Sequence, residues 1–551
     1  VLTTKHHDGF CLFDSKLTNY KATKTKAKRD LIREYVNALR AEGLKVGFYY
    51  SLLDWHHPHY TVDCVHAQRN DEKAKAEKRD WKKYQAYLHG QVSELMTHYG
   101  PIDVLWCDFS YGEKNATAWK AVELLGRIFK LQPNIIVNNR LGVAGDIDTP
   151  EQRIPETIPM HNGRRLVWES CLTFNDHWGY ARDDHNYKSA AQAIRMLVDC
   201  VSKNGNLLLN IGPQPDGRFP EESVSRLKEI GRWMKTNGES VHECVDGPTG
   251  DLPYGRTTRK GDTLYVHAFR WPKEGRLDLP PFKAKLVSAR LLTGGREVPF
   301  KQGKSGIVLQ GPKTAPDKAD TVIALKFAGA PTNCGELKRT QAPTVVAPRT
   351  SGKPVSLDGQ IDPKQWKGAA SFDVTLESGV LTSIRAIQPG ELKYRVRLMH
   401  RDKVLFVAIE AKRKGNVVLG GDDILGGDGM ELMLDASLDS RKITNNGSSF
   451  RMIVDAKGRS RIQNESPAGA VFYRAAASAK DGAYTMMAAA PFASLIKANG
   501  KPVQAGDELG FDLCVKSFGA PGWVSYELWW QASGGTVAAD RSQWGRLKLG
   551  K

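Results

Sequence analysis

The sequence has no run of about 18 apolar residues, so it predicts no membrane-spanning helix. Cysteine is scarce, with eight residues among 551, and none of them forms a C-x-x-C pair. A disulfide scaffold is therefore excluded, and the cysteine spacing gives no support to a zinc site. The chain also lacks the combined aromatic and basic pattern of RNA-binding modules.

Charge of one sign prevails, because 79 lysine and arginine residues outnumber 61 acids and give a formal net charge of +18. The basic residues are scattered along the chain, which favours a solvated basic surface. A polyanionic substrate such as a sulfated polysaccharide is the first alternative. Nucleic-acid binding is the second, and it predicts a steep salt dependence of binding.

The N-terminus shows no methionine and no signal peptide. The chain starts at Val1, directly in the strand-like run V-L-T-T. We therefore expect the natural N-terminus to lie further upstream. The absence of a signal peptide from this sequence then carries no information about export.

Strand-like and helix-like segments alternate about six times over the first 240 residues, which predicts parallel strands with crossover helices. The fold class is α/β followed by all-β: a (β/α)8-like barrel lacking its first strands, then two β-sandwich domains. The predicted boundaries are 1–244 for the barrel, 245–330 for the first sandwich, 331–353 for a linker and 354–551 for the second sandwich.

Two carboxylates follow buried strands of the predicted barrel. Asp108 ends the run V-L-W-C-D, with Trp106 two residues earlier on the same side of the strand, and Glu169 follows R-L-V-W. For either residue alone, a helix N-cap or an ion pair is the alternative. Together, two carboxylates at strand ends of one barrel suit glycoside hydrolysis, with a nucleophile or base and a general acid.

Further side chains at strand ends suit the recognition of a polyol. Histidine and arginine donate hydrogen bonds to hydroxyl groups, and an indole face packs against the C–H face of a sugar. A structural pair is the alternative for the two histidines. The candidates of this kind are His6, His7, the Tyr49–Tyr50 pair, Trp106, Arg140 and Trp168.

Six motifs occur in order: T-K-H-H-D-G-F (Thr4–Phe10), F-Y-Y-S (Phe48–Ser51), L-W-C-D (Leu105–Asp108), V-N-N-R (Val137–Arg140), W-E-S-C (Trp168–Cys171) with W-G-Y (Trp178–Tyr180), and G-N-L-L-L-N-I-G-P (Gly205–Pro213). This set resembles the α-L-fucosidases of glycoside hydrolase family 29, over about residues 1–330. The resemblance implies a barrel followed by a β-sandwich, hydrolysis of terminal α-L-fucosides with retention, and no metal or cofactor.

The resemblance also implies roles for single residues. Asp108 is expected to be the nucleophile and Glu169 the acid/base, with their carboxyl groups about 5–5.5 Å apart. The acid should have a raised pKa while Asp108 stays ionised. The residues expected to bind the sugar are His6, His7, Tyr49 (preferred over Tyr50), Trp106, Arg140 and Trp178; Phe10 or Trp178 could contact the methyl group of fucose.

Three observations bear on the transfer of these family roles to the residues of this chain. Many family members have glycine directly after the nucleophile, where this chain has Phe109. The family's first barrel strand carries another sugar-binding histidine, and this chain does not contain that region. Glu151 and Glu156 are rivals of Glu169 for the acid/base role, although the motifs around Glu169 favour it.

The last 200 residues resemble family 9-like carbohydrate-binding modules, through L-D-G-Q-I-D-P-K-Q-W (Leu357–Trp366), V-L-F-V-A-I-E (Val404–Glu410), D-G-M-E-L-M-L-D (Asp428–Asp435) and W-G-R-L-K-L (Trp544–Leu549). Such modules hold sugar between aromatic faces. Trp523, Trp529 and Trp530 are candidates, with core packing as the alternative. Asp422, Asp423 and Asp428 could bind calcium, although a solvated glycine-rich turn is the simpler interpretation.

The expected function is a retaining exo-α-L-fucosidase acting on a fucosylated oligosaccharide, glycoprotein or polysaccharide, outside the cytoplasm in the extracellular space or periplasm. One alternative is a glycosidase for another fucose-like sugar, such as an α-L-galactoside. The other is a glycan-binding protein with an inactive barrel.

Overall fold

The computed structural model describes residues 1–155, 157–161, 164–250, 252–272, 274–332, 344–352, 355–374, 380–382, 392–413, 428–436, 449–457, 460–463, 474–480, 483–495, 497, 501–520, 523–529 and 545–551. The chain forms two compact units. The first contains residues 1–150 and 159–169, and the second contains residues 151–158 and 170–551.

A parallel sheet is the centre of the first unit. Its strands are β1 (Leu2–Lys5), β2 (Gly47–Ser51), β3 (Val104–Asp108) and β4 (Ile136–Val137), which lie side by side in chain order. A short antiparallel pair, β5 (Met160–His161) and β6 (Arg164–Arg165), follows. The helices are α1 (Leu31–Ala41), α2 (Glu72–Ala76), α3 (Trp81–His98), α4 (Ala116–Trp119) and α5 (Ala121–Leu131), with 3-10 turns at Ala22–Lys24 and Asn139–Leu141.

The register between β2 and β3 decides which side chains meet. Tyr49 lies opposite Trp106, and Ser51 lies opposite Asp108. Because alternate residues of a strand point to opposite faces, Tyr49, Trp106 and Asp108 share one face. Tyr50 and Cys107 point to the other face, where both are completely buried in the hydrophobic core under the helices.

Helix caps explain where the helices begin. The carboxylate of Asp30 accepts a hydrogen bond from the backbone N–H of Arg33 and caps α1, and Asp80 caps α3 in the same way. The apolar pattern of the sequence predicts a single helix over 116–131, and the structure corrects this prediction in one respect. Lys120 adopts a left-handed conformation (φ 49°) and divides the segment into α4 and α5.

The run N-I-I-V-N-N-R predicts a strand over 134–140, but in the structure only Ile136–Val137 pairs with β3. The side chain of Asn138 then replaces the backbone ladder. Its Oδ1 accepts from the N–H of Cys107 (3.0 Å) and its Nδ2 donates to the carbonyl of Cys107 (2.9 Å). This exchange frees the backbone to turn into a 3-10 segment that carries Arg140.

In the second unit, the strand β7 (Trp168–Thr173), whose first two residues belong to the first unit, pairs with β8 (Gly205–Asn210). The predicted strand began at Arg165, but Arg165 pairs with Met160 instead. The helices α6 (Ala190–Val201) and α7 (Glu221–Asn237) follow, with a 3-10 turn at Gly238–Ser240. Ser189 and Gln192 form a capping box that starts α6.

Two layers of antiparallel sheet come next in the second unit. One consists of Leu286–Leu291, Thr321–Phe327, Thr263–Ala268, Gly255–Lys260 and Val245–Asp246, and the other of Arg276–Leu279, Gly306–Gln310 and Phe300–Gly303. A 3-10 turn occupies Thr293–Gly295. Both sheets contribute to one core, which includes Val266, Leu325 and Leu309. This is the layered arrangement of a β-sandwich.

A second pair of sheets ends the chain. Among the described residues, one sheet contains Thr344–Ala347, Gly545–Leu549, Glu508–Ala520, Gly429–Asp435, Ser449–Asp455, Ser460–Gln463, Val380–Thr382 and Trp523–Trp529. The other contains Ala370–Val374, Leu392–Arg401, Val404–Arg413, Ala483–Pro491 and Arg474–Lys480, with a 3-10 turn at Phe492–Ser494. Both sheets bury side chains in a common core, among them Val396, Leu432 and Phe511.

Several predictions for the last sandwich fall outside the described residues. These are Trp530, Asp422 and Asp423, together with the side chains of Trp523 and Trp529. Asp428 is described and completely buried. Among the helices that the structure describes, none has the length and apolar character needed to cross a membrane. The four domain boundaries and the closure of the barrel stay predictions.

The turn after β1 packs against a buried ion pair between Lys5 and Asp54, and this packing can be tested by mutation. The ammonium group of Lys5 lies 3.2 Å from the carboxylate of Asp54, and both side chains are buried. A Cβ atom on Gly9 (φ 82°) would stand 2.3 Å from Asp54 Oδ1. We expect Gly9→Ala to lower the free energy of unfolding by about 1–3 kcal/mol more than backbone strain alone.

Gly43→Ala is the matched control, because Gly43 also has a positive φ (68°) but a Cβ atom added there would have no other atom within 4 Å. This variant should lose only the left-handed penalty of about 1–2 kcal/mol. Urea unfolding followed by tryptophan fluorescence measures both. Equal decreases in the free energy of unfolding of the two variants would show that the Asp54 side chain moves aside at no cost. The ion pair would then not constrain the turn.

Candidate active site

Asp108 stands at the C-terminal end of β3 and is 7% exposed. Three donors hold its carboxylate. The hydroxyl of Tyr49 donates to Oδ2 (2.7 Å), while Arg140 Nη1 (2.8 Å) and the backbone N–H of Phe109 (2.9 Å) donate to Oδ1. Charge-assisted hydrogen bonds of this kind stabilise an ionised carboxylate that has little water around it. These hydrogen bonds therefore fix the direction of the side chain.

Arg140 is itself oriented by hydrogen bonds to Thr149. Its Nε donates to Thr149 Oγ1 (3.1 Å) and its Nη2 donates to the Thr149 carbonyl (3.0 Å), which leaves Nη1 directed at Asp108. The guanidinium carbon lies 4.7 Å from the centre of the Trp106 ring. This planar support and the two hydrogen bonds to Thr149 fix the orientation of the guanidinium group.

Aromatic rings and imidazoles extend the site along the sheet edge. The ring of Tyr49 stacks on Trp106 (5.7 Å between centres) and on His6 (5.3 Å). The ring centres of His6 and His7 lie 3.7 Å apart, and those of His7 and Trp55 lie 4.4 Å apart. The first unit therefore brings together five of the predicted sugar-binding residues around Asp108: His6, His7, Tyr49, Trp106 and Arg140.

Both imidazoles are biased toward the neutral form. Burial lowers the pKa of His7 to about 3, and the charges of His6 and Lys5 act in the same direction. Burial also lowers the pKa of His6, although the nearby Asp108 carboxylate opposes this effect. A neutral imidazole has one N–H donor and one acceptor, so the pair can exchange hydrogen bonds with hydroxyl groups at neutral pH.

Glu169 has the opposite electrostatic environment to that of Asp108. Burial raises the pKa of its carboxyl group, while the indole N–H of Trp106 lowers it to a smaller extent. The N–H of Trp106 is buried and has no hydrogen-bond partner of standard geometry among the residues that the structure describes. Trp106 thus contacts Arg140, the partner of Asp108, with its ring and directs its N–H toward Glu169.

The other candidates belong to the second unit, make different contacts or lie outside the described residues. Trp178 belongs to the second unit, where it is 40% exposed and its carbonyl accepts a hydrogen bond from Asn210, so its role in the site stays a prediction. Phe10 packs against Tyr20. Tyr50 donates to Gln91 on the opposite face of the sheet. Glu151 belongs to the second unit, and Glu156 lies outside the described residues.

Sequence reasoning missed three groups that build the site. Thr149 and the N–H of Phe109 gave no sequence signal, because their roles depend on a turn and on backbone geometry. Asn138 lies inside the V-N-N-R motif, which could have indicated it. In the part of the chain that the structure describes, no cluster of three or more histidine, cysteine or acidic side chains is arranged to hold a metal ion.

The raised pKa of Glu169 makes stability depend on pH. The folded state binds this proton more tightly than the unfolded state does, so stability declines as pH rises from about 4.5 through the raised folded pKa. Glu169→Gln cannot lose a proton and avoids this decline. We therefore expect a higher unfolding temperature than wild type at pH 7, with the difference shrinking toward pH 4.

Thermal unfolding between pH 4 and pH 8 checks this expectation. Asp199→Asn is the contrast, because Lys203 and Arg256 overcome burial and lower the pKa of Asp199 to about 2. Its removal should destabilise the protein at pH 7. If Glu169→Gln instead lowered the unfolding temperature at pH 7 and matched wild type at pH 4, Glu169 would be stabilised as an anion.

Comparisons with known proteins identify the family of this chain. A family profile described as alpha-L-fucosidase matches residues 1–239, and one described as carbohydrate family 9 binding domain-like matches residues 357–551. The plasma alpha-L-fucosidase of Rattus norvegicus is 32% identical over 332 residues, which cover 57% of this chain and 69% of that protein. The alpha-L-fucosidase of Dictyostelium discoideum is 29% identical, with coverages of 57% and 70%.

The solved structures that resemble this chain include alpha-L-fucosidases as well. Alpha-L-fucosidase isoenzyme 1 from Paenibacillus thiaminolyticus is 46% identical, with a TM-score of 0.58 and coverages of 59% of this chain and 82% of that one. An alpha-L-fucosidase from Bacteroides thetaiotaomicron, described as a trapped covalent intermediate with 2-fluoro-fucosyl fluoride, is 29% identical with a TM-score of 0.52 and coverages of 59% and 78%. The chain is a glycoside hydrolase that belongs to the α-L-fucosidase family, glycoside hydrolase family 29.

Proposed function

We propose that this enzyme is a retaining exo-α-L-fucosidase that removes terminal α-L-fucosyl residues from glycans through a covalent fucosyl-enzyme. The observation that carries the proposal is the contrast between two carboxyl groups. Asp108 is held by three hydrogen-bond donors, whereas burial raises the pKa of Glu169. Two acids with such different environments can act as nucleophile and proton donor at one pH.

In the first step, an oxygen of Asp108 bonds to the anomeric carbon while the bond to the leaving oxygen breaks. Glu169 gives its proton to that oxygen, so the aglycone leaves as an alcohol. In the second step, Glu169 takes a proton from water, the water oxygen bonds to the anomeric carbon, and Asp108 leaves as a carboxylate. Double displacement retains the configuration, and it requires the carboxyl groups to stand about 5–5.5 Å apart.

The donors around Asp108 favour the second step in particular. The carboxylate loses its charge when the fucosyl ester forms and regains it when water displaces the sugar. Arg140, Tyr49 and the N–H of Phe109 are already in place for the returning charge. Such preorganised donors lower the barrier without reorganising at the moment of reaction.

The sugar itself would be bound by the surrounding ring of donors and aromatic faces. Neutral His6 and His7 can donate to and accept from hydroxyl groups, and Tyr49 and Arg140 add further donors. Trp106 supplies an apolar wall, and Trp178 stays a predicted sugar-binding residue. The trapped covalent intermediate of the Bacteroides enzyme supports the same two-step route for this chain.

The remaining parts of the chain extend this proposal. Residues 1–244 would form the catalytic barrel and 245–330 its associated sandwich, joined by 331–353 to a carbohydrate-binding-module-like sandwich at 354–551. The substrate would be a fucosylated oligosaccharide, glycoprotein or polysaccharide, and the net charge of +18 is compatible with sulfated chains. The proposed location is extracellular or periplasmic.

Nucleophile replacement tests the mechanism directly. We expect Asp108→Ala to lower the rate of aryl α-L-fucoside hydrolysis at least about 10³-fold, because an oriented nucleophile is lost. Azide should restore turnover and yield the β-fucosyl azide, whose configuration is inverted. In Glu169→Ala, azide should instead yield the α-fucosyl azide. Product configuration by NMR spectroscopy distinguishes the two acids.

Three results would contradict parts of the proposal. Normal turnover by Asp108→Ala would remove its assignment as nucleophile. A wild type that is inert on fucosides yet binds fucose would indicate a glycan-binding protein with an inactive barrel. Faster hydrolysis of aryl α-L-galactosides than of fucosides would change the substrate. Circular dichroism of each variant verifies that it is folded.

A pair of adjacent tyrosines gives a sharper test of the site. Tyr49→Phe removes only the hydroxyl that donates to Asp108, and hydrogen bonds to charged groups contribute about 1.5–3 kcal/mol. We therefore expect kcat/KM to decline about 10- to 100-fold. Tyr50→Phe is the matched control, since its hydroxyl donates to Gln91 on the other face. It should keep kcat/KM within about threefold, and the reverse order would place Tyr50 in the site.

A further inference from the structure

The residue after the proposed nucleophile has an unusual backbone conformation. Phe109 has φ 73°, in the left-handed region that glycine favours and that bulky side chains rarely adopt. A conformation of this kind persists only where its surroundings enforce it, and such residues concentrate at functional sites. Nothing in the proposed chemistry so far requires a large side chain at this position.

The surroundings enforce the turn from both sides. The carbonyl of Asp108 accepts a hydrogen bond from the N–H of Leu52 (3.0 Å), which extends the ladder beyond β2. On the other side, the hydroxyl of Ser110 donates to the Arg140 carbonyl (2.7 Å) and accepts from Trp119 Nε1 (2.9 Å). The residues on both sides of Phe109, Asp108 and Ser110, are thus fixed by hydrogen bonds.

The left-handed turn has two consequences. It directs the N–H of Phe109 back to Asp108 Oδ1 (2.9 Å). It also places the aromatic ring against both histidines, perpendicular to His7 with ring centres 4.9 Å apart and perpendicular to His6 at 6.5 Å. Edge-to-face contacts of this geometry are attractive beyond their buried area.

The two histidines have few other restraints on this side. His7 has a buried Nδ1 that lacks a hydrogen-bond partner among the described residues. Its ring is therefore oriented by packing, against the rings of His6, Trp55 and Phe109. His6 is stacked on Tyr49 and meets Phe109 edge-on.

We infer that Phe109 is a positioning residue for sugar binding, whose ring holds His6 and His7 in the orientation that receives the sugar while its backbone N–H holds Asp108. The inference rests on the proposed function, because it takes Asp108 as the nucleophile and the two histidines as sugar ligands. The ring and the N–H act on different parts of the site, so they can be separated experimentally.

Phe109→Gly removes the ring, and glycine keeps the left-handed turn and the N–H without strain. We expect KM for an aryl α-L-fucoside and the inhibition constant of L-fucose to rise together, by roughly 5- to 30-fold, as two edge-to-face contacts are lost. The value of kcat should stay within about threefold. Phe109→Tyr, which retains the ring, should keep all three constants within about twofold of wild type.

Phe109→Ala separates packing from backbone strain. It also lacks the ring, so its KM and its inhibition constant should match those of Phe109→Gly. It retains the positive φ of a residue with a Cβ atom, so its unfolding temperature should lie below that of Phe109→Gly. A purely structural residue would change the unfolding temperatures and leave KM and the inhibition constant untouched.

Two outcomes would overturn the inference. In the first, Phe109→Gly binds L-fucose and turns over substrate like wild type. In the second, kcat decreases more than about 30-fold with KM unchanged, which would mean that the ring acts on the nucleophile and not on the histidines. Asp108→Ala, assayed in parallel, separates this question from the proposed function: wild-type activity that is lost in Asp108→Ala upholds the function whatever Phe109→Gly does.

Discussion

The negative charge of Asp108 in a nearly buried position is the constraint on which the site depends. A carboxylate with so little water requires compensation, and the parallel register of β2 and β3 provides it by placing Tyr49 beside Trp106 on the face of Asp108. Arg140 reaches the same carboxylate because the neighbouring strand stops after two residues and turns. The sheet thus arranges the charge before any substrate is present.

Glu169 shows how one fold gives two carboxyl groups different environments. Asp108 is surrounded by donors, whereas burial dominates at Glu169 and favours its protonated form. Trp106 couples the two environments, since its ring lies against Arg140 while its N–H faces Glu169. Changing the indole would therefore disturb both acids, which distinguishes it from the other aromatic residues of the site.

Much of the framework of the first unit was predictable, because periodicity and capping residues are local signals. The strand ending at Asp108 and, in the second unit, the helix through Glu221–Asn237 follow their apolar patterns closely. The break at Lys120 and the short strand at Ile136–Val137 did not follow, since both depend on tertiary contacts such as the Asn138 amide pairing with Cys107. The preference for Tyr49 over Tyr50 came from the family resemblance, and the register between two strands supplies its physical reason.

The least predictable features of the site are also those that cost stability. Glu169 is buried with a raised pKa, and Phe109 holds a left-handed backbone conformation. Neither follows from local propensity, because each is imposed by neighbours that are themselves fixed, such as Ser110 and Leu52 around Phe109. A chain selected for stability alone would have glycine or an unstrained turn after β3 and a neutral side chain at 169. Their presence together in one unit is therefore best explained by the chemistry they support.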